Sequence, residues 1–257
     1  MTSIALVRHQ FRFDRKTFWR NPASVFFTVL LPVMFLLIFA TIFGNDTIEE
    51  LGGIKTTTYY VPAIMTLAVV SATMQSLAIS LTIDREFGIL KRGRGTPLPN
   101  WVFFAGRVGN SIVVSVLLLI VVTVVGRLLY GVEIPPLERL PAVVITLVVG
   151  AAAFCCLGIA LSAAIPSEDA AAPISNVAVL PLYFLSGVFI PESEIPDGVL
   201  KVADVFPIRH FFEAFFGAFD PTTTGAGFEW GHLAVVAAWG LVGLVLAIRF
   251  FRWTPRR

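Results

Sequence analysis

Asp84, Arg85 and Glu86 place two acids and a base within one helical turn, followed closely by Gly88, Lys91 and Arg92. Acid–base chemistry needs more than such a cluster: a nucleophile, a metal motif or a phosphate cradle must stand beside it. The chain has no HExxH, no Cys-x-x-Cys and no G-x-S-x-G. Gly93 and Gly95 are not followed by Lys-Ser or Lys-Thr, so the Walker-type loop is missing and the chain is not expected to hydrolyse ATP. His9, His210 and His232 fall on both sides of the apolar stretches described below, and no metal site is expected from them. Cys155 and Cys156 lie inside an apolar run and read as packing residues. The charge cluster reads instead as a handle at a water interface, where a charge reversal such as Glu86→Arg should matter little to folding.

The elements that must carry these groups are set by composition. Of 257 residues, 56% are hydrophobic and only 14% charged, whereas a soluble globular chain carries about 25% charge. The core is therefore the bilayer. A net charge of +2 gives no reason to expect a nucleic-acid partner. Six apolar stretches, near 24–44, 60–83, 108–130, 141–165, 174–190 and 231–251, approach the roughly 20 helical residues that cross a hydrocarbon core. Pro32 and Pro181 are expected to kink the first and fifth. Counting Lys and Arg on alternate sides gives fourteen against five, so both termini are expected in the cytoplasm of a multi-pass plasma-membrane protein. Thr57, just outside the second stretch, is expected to be accessible from outside.

Residues 2–21 put Ile4, Val7, Phe11 and Phe18 on one arc and Arg8, Arg12, Arg15, Lys16 and Arg20 beside it, the pattern of an amphipathic helix in the cytoplasmic interface. A positively charged flank that only fixes topology is the alternative. The last external segment, roughly 191–230, is cut by Pro191, Pro196, Pro207 and Pro221. Its Phe211, Phe212, Phe215, Phe216 and Phe219 share an arc of about 140°. Burying five aromatics is worth as much as roughly 10 kcal/mol, so this face should pack on the spans or dip into the membrane as short re-entrant helices. The fold class is an all-α integral membrane protein: one domain, 1–257, of six transmembrane helices with an amphipathic N-terminal interfacial helix and short re-entrant external helices before the last span.

No Asp, Glu, Lys, Arg or His sits in the middle of any stretch, so coupling to an ion gradient through a buried charge is not expected. Energy should come from a partner. Mild polar groups remain, and Gln75, Ser71, Asn110, Asn176 and Tyr183, with Phe212 and Phe215, are the candidates to line a substrate path; interhelical hydrogen bonding is the alternative role of the polar ones.

The run Asp84-Arg85-Glu86-Phe87-Gly88-Ile89-Leu90-Lys91-Arg92, then Gly95-Thr96-Pro97-Leu98-Pro99 and Ala105-Gly106-Arg107, resembles the signature of type-2 ATP-binding-cassette (ABC) exporter permeases. Pro181-Leu182-Tyr183-Phe184-Leu185-Ser186-Gly187-Val188-Phe189-Ile190-Pro191 is similar to that family's fifth span, and Phe206-Pro207-Ile208-Arg209-His210-Phe211 to its external Asn-Pro-Leu-Thr-Tyr, with Phe206 in place of Asn. Among these permeases it most resembles the daunorubicin-resistance kind. The resemblance implies a homodimer or heterodimer of permeases on separate ABC ATPase subunits, with ATP and magnesium held by the ATPase and no cofactor on this chain. It implies that Asp84, Arg85, Glu86, Gly88, Lys91 and Arg92 belong to the loop coupled to that ATPase, with Glu168 and Asp169 as a second contact. An amphiphilic drug, lipid or lipid-linked molecule would be the exported cargo. A lipid-linked polysaccharide exporter and a non-transporting membrane anchor are the alternatives.

Overall fold

The computed structural model describes residues 3–44, 47–48, 54–96, 98–190, 195–223 and 225–255. Pro97 and Pro191 of the motifs, and Arg256 and Arg257 of the charge count, lie outside them. The chain is almost wholly helical. Helix α1 (Ser3–Trp19) is followed by α2 (Pro22–Ile42), which opens on a proline, where the missing N–H is lost at no cost. A two-residue antiparallel pair, β1 (Thr47–Ile48) with β2 (Ile54–Lys55), leads into α3 (Thr56–Val70). A π turn, Ser71–Gln75, joins α3 to α4 (Ser76–Glu86) without ending the helical run. Then come α5 (Ile89–Arg94), α6 (Asn100–Tyr130), α7 (Leu140–Ala164), α8 (Ala171–Leu185), α9 (Asp197–Ala203), α10 (Pro207–Phe219) and α11 (Trp230–Phe250).

Among the described residues five helices are long and apolar enough to cross a membrane: α2 from Val25, the run Thr56–Glu86, α6, α7 and α11. The expected span 174–190 is the shorter apolar helix α8, with 15 residues. It stops where Gly187 adopts φ +82, a conformation that side chains disfavour, and the Tyr59 hydroxyl donates to the Gly187 carbonyl at 2.6 Å. Helix α2 continues through Pro32 and α8 through Pro181. An irregularity falls at the π turn, where the Ser76 N–H reaches back five residues to the Ser71 carbonyl.

Helix α3 is the centre of the molecule, buried at every position from Thr56 to Val70. Thr57 is thus shielded by its neighbours and is not the accessible outer position expected. Beyond the π turn the burial narrows to Leu77, Ala78, Leu81, Thr82 and Arg85, one helical face. The phenylalanine face of α10 turns inward, with Phe211, Phe212, Phe215 and Phe219 buried and Phe216 partly so. It packs against α3, α7 and α11. Helices α7 and α11 approach closely through small residues: a β-carbon on Gly240 would lie 2.8 Å from Ala153, and one on Gly243 2.8 Å from the Leu157 nitrogen.

Candidate functional site: a charge-free cavity and the charged end beneath it

A cavity of about 470 Å³ opens between α1, α2, α3, α6 and α8. Its walls are apolar, with Phe27, Leu31, Phe35, Val114, Leu180 and Phe189 among them, and no charged residue among the described residues lines it. Five of the seven expected path residues, Ser71, Gln75, Asn110, Asn176 and Tyr183, lie on this lining. The π turn supplies two of them. Gln75 Nε2 donates to Asn176 Oδ1 at 3.1 Å, and the Ser71 and Tyr183 hydroxyls are 3.1 Å apart. Tyr183 also donates to the Leu67 carbonyl at 3.2 Å, which leaves Ser71 as the donor of the pair. The buried Asn110 Oδ1 has no partner among the described residues. The site thus offers apolar area for a hydrophobic body and a few amide and hydroxyl groups for a polar end.

Phe212 and Phe215 are not on the lining. Both are fully buried, Phe212 against Tyr59 with ring centroids 5.3 Å apart and Phe215 against Phe211 at 4.8 Å. Their arc was legible, but a buried aromatic stripe serves packing as readily as a path, and here it holds α10 to the spans.

Below the cavity the charge cluster separates into distinct roles. Arg85 is 2% exposed, and its guanidinium donates to the Ser162 carbonyl at 2.8 Å, the Ile165 carbonyl at 2.7 Å and Glu86 Oε1 at 2.7 Å. Those two carbonyls belong to the C-terminal turn of α7, where unpaired acceptors and the helix dipole favour a cation. Arg85 and the 9%-exposed Glu86 side chain are therefore inside the molecule, and the expected water-facing position of Glu86 is corrected. Asp84 pairs with Arg107, whose guanidinium also donates to Ser80 Oγ at 3.3 Å and lies over the Phe103 ring.

Sequence reasoning did not reach Asp14. On α1 it accepts from Gln10 Nε2 at 3.1 Å, and both residues cover Gly106 on α6, where a β-carbon would meet Gln10 Cγ at 2.5 Å. Burial raises the Asp14 carboxyl above its ordinary range, opposed by the nearby Arg107 guanidinium. The only hint was Gly106 beside Arg107.

What projects outward is α5. Gly88 holds φ +69 and turns the chain so that Lys91, Arg92 and Arg94 are exposed at the charged end of the bundle. Glu168 is half-buried and Asp169 exposed in the turn after α7.

The ABC-2 type transporter family model matches residues 5–219. The chain belongs to this family of membrane transport subunits. Across 234 residues it is 22% identical to the Bacillus subtilis (strain 168) protein named "Putative transport permease YvfS", covering 91% of this chain and 92% of that one. It is 26% identical over 196 residues to the daunorubicin resistance ABC transporter permease protein DrrB1 of Streptomyces coeruleorubidus, covering 74% and 66%. With the Escherichia coli (strain K12) protein named "Probable multidrug ABC transporter permease YbhR" it shares 24% over 153 residues, 60% of this chain and 41% of that one. Members of the family do not themselves carry out catalysis, and an ABC ATPase subunit normally pairs with them.

Proposed function

We propose that this ABC-2 permease moves an uncharged or weakly polar amphiphile out of the cytoplasm, driven by a separate ATPase that holds ATP and magnesium. The observation that carries the reading is the cavity: apolar walls, polar groups at Ser71, Gln75, Asn110 and Asn176, and no charge among the described residues that line it. An ion or free sugar would lose its hydration there without replacement, whereas an amphiphile gains by burying its apolar body. Supporting the coupling role are the exposed α5 and Asp169, exposed in the turn after α7. Two such permeases, alike or different, would share the ATPase pair, with lipid covering the remaining apolar surface and both termini in the cytoplasm.

The test is ATP-dependent transport of a fluorescent amphiphile by the permease–ATPase complex in vesicles. Gln75→Leu denies the polar end of the cargo a hydrogen bond worth about 0.5–1.5 kcal/mol, so the apparent KM should rise about two- to tenfold. ATP hydrolysis by the docked complex should persist. Unchanged transport in the Gln75→Leu, Asn110→Leu double variant would remove the cavity from the path.

A further inference from the structure

His210, in the first turn of α10, and His232, in the first turn of α11, face each other with their Nδ1 atoms 2.8 Å apart. Both lie on the side of the apolar stretches opposite His9, and although 22 residues separate them in sequence the fold makes them neighbours. The Nε2–H of His210 donates to the Asp204 carbonyl at 2.8 Å. In the neutral ring that bond leaves the lone pair on Nδ1, aimed at His232. A histidine anchored through its other nitrogen to a backbone carbonyl is the arrangement that orients a metal ligand. Asp204 also pairs with Arg209, the residue before His210, at 3.0 Å, which offsets that positive charge.

We propose that His210 and His232 form a two-histidine site for a late first-row divalent cation such as zinc or copper, joining α10 to α11. Imidazole nitrogen suits these ions and not calcium or magnesium. A tetrahedral ion about 2.0–2.1 Å from each nitrogen holds them about 3.3 Å apart, so the rings must part by about half an ångström and each turn by about 35° to aim at the ion, while His232 carries its proton on Nε2 instead of Nδ1. Both rings are half-buried, which leaves an approach for the ion. No group of three or more His, Cys, Asp or Glu gathers among the described residues, so solvent completes the coordination and the binding is reversible.

The test uses tag-free, full-length protein in lipid nanodiscs. Zinc calorimetry should show one site in the wild type and in His9→Gln. In His210→Gln and in His232→Gln the affinity should fall by at least about tenfold, the lower bound for losing even an outer-shell partner. Excess magnesium should not compete. Copper paramagnetic resonance on the wild type needs no variant and should show coupling to two imidazole nitrogens. A copper spectrum lacking that coupling overturns the site, leaving the pair as a hydrogen bond only. So does zinc binding that survives His210→Gln and His232→Gln together.

Discussion

Arg85 fixes the charged end of α4 to the end of α7 with two charge-assisted hydrogen bonds, and pairs with its neighbour Glu86 on α4. Arg85→Met would leave Glu86 without its partner and two α7 carbonyls unfilled, and breaking a buried pair in this way costs about 3–5 kcal/mol. The expected result is a lower melting temperature and a lower yield of folded protein. Lys91→Glu with Arg92→Glu changes the exposed α5 instead, where substitutions lie within about 0.5 kcal/mol. That variant should melt like the wild type and co-purify with less ATPase. If the α5 variant retained its ATPase in full, this helix would have no docking role.

At the scale of elements, the α7–α11 contact depends on the lack of side chains at Gly240 and Gly243. Gly243→Leu should cost about 1–3 kcal/mol through overpacking, whereas Gly231→Leu, with nothing within 4 Å, should be mild. Thermal melting of the two variants in detergent checks this, and equal melting points would contradict the close approach. Apolar length placed most helices within a few residues, as α7 at 140–164 against 141–165 shows. The gathering of five polar residues on one cavity was legible because polar groups are rare in spans and must find one another or a ligand. The π turn was not legible: Ser-Ala-Thr-Met-Gln has the composition of any mildly polar helix segment. Nor was the burial of Arg85, which depends on carbonyls 77 and 80 residues away. No periodicity within one element carries that information.

For the whole molecule, the Lys/Arg asymmetry predicts that both termini lie in the cytoplasm. In a background lacking Cys155 and Cys156, a cysteine at exposed Glu138, in the turn before α7, should react with an impermeant thiol reagent on intact cells. One at exposed Gly93, at the inner end, should not. Labelling at Gly93 alone would invert the topology. The turn at Ser71–Gln75 also has a geometric consequence for how the two leaflets' halves of the bundle relate. A five-residue turn holds more chain than an α turn, and each helical residue sweeps about 100° of azimuth. The turn therefore acts as a phase step. Above it the rod must satisfy neighbours on all sides; below it the same rod shows a single inner face, with Arg85 at its foot. An unbroken α-helix would tie those two azimuths together, so the packing chosen for the outer half would dictate where the arginine points.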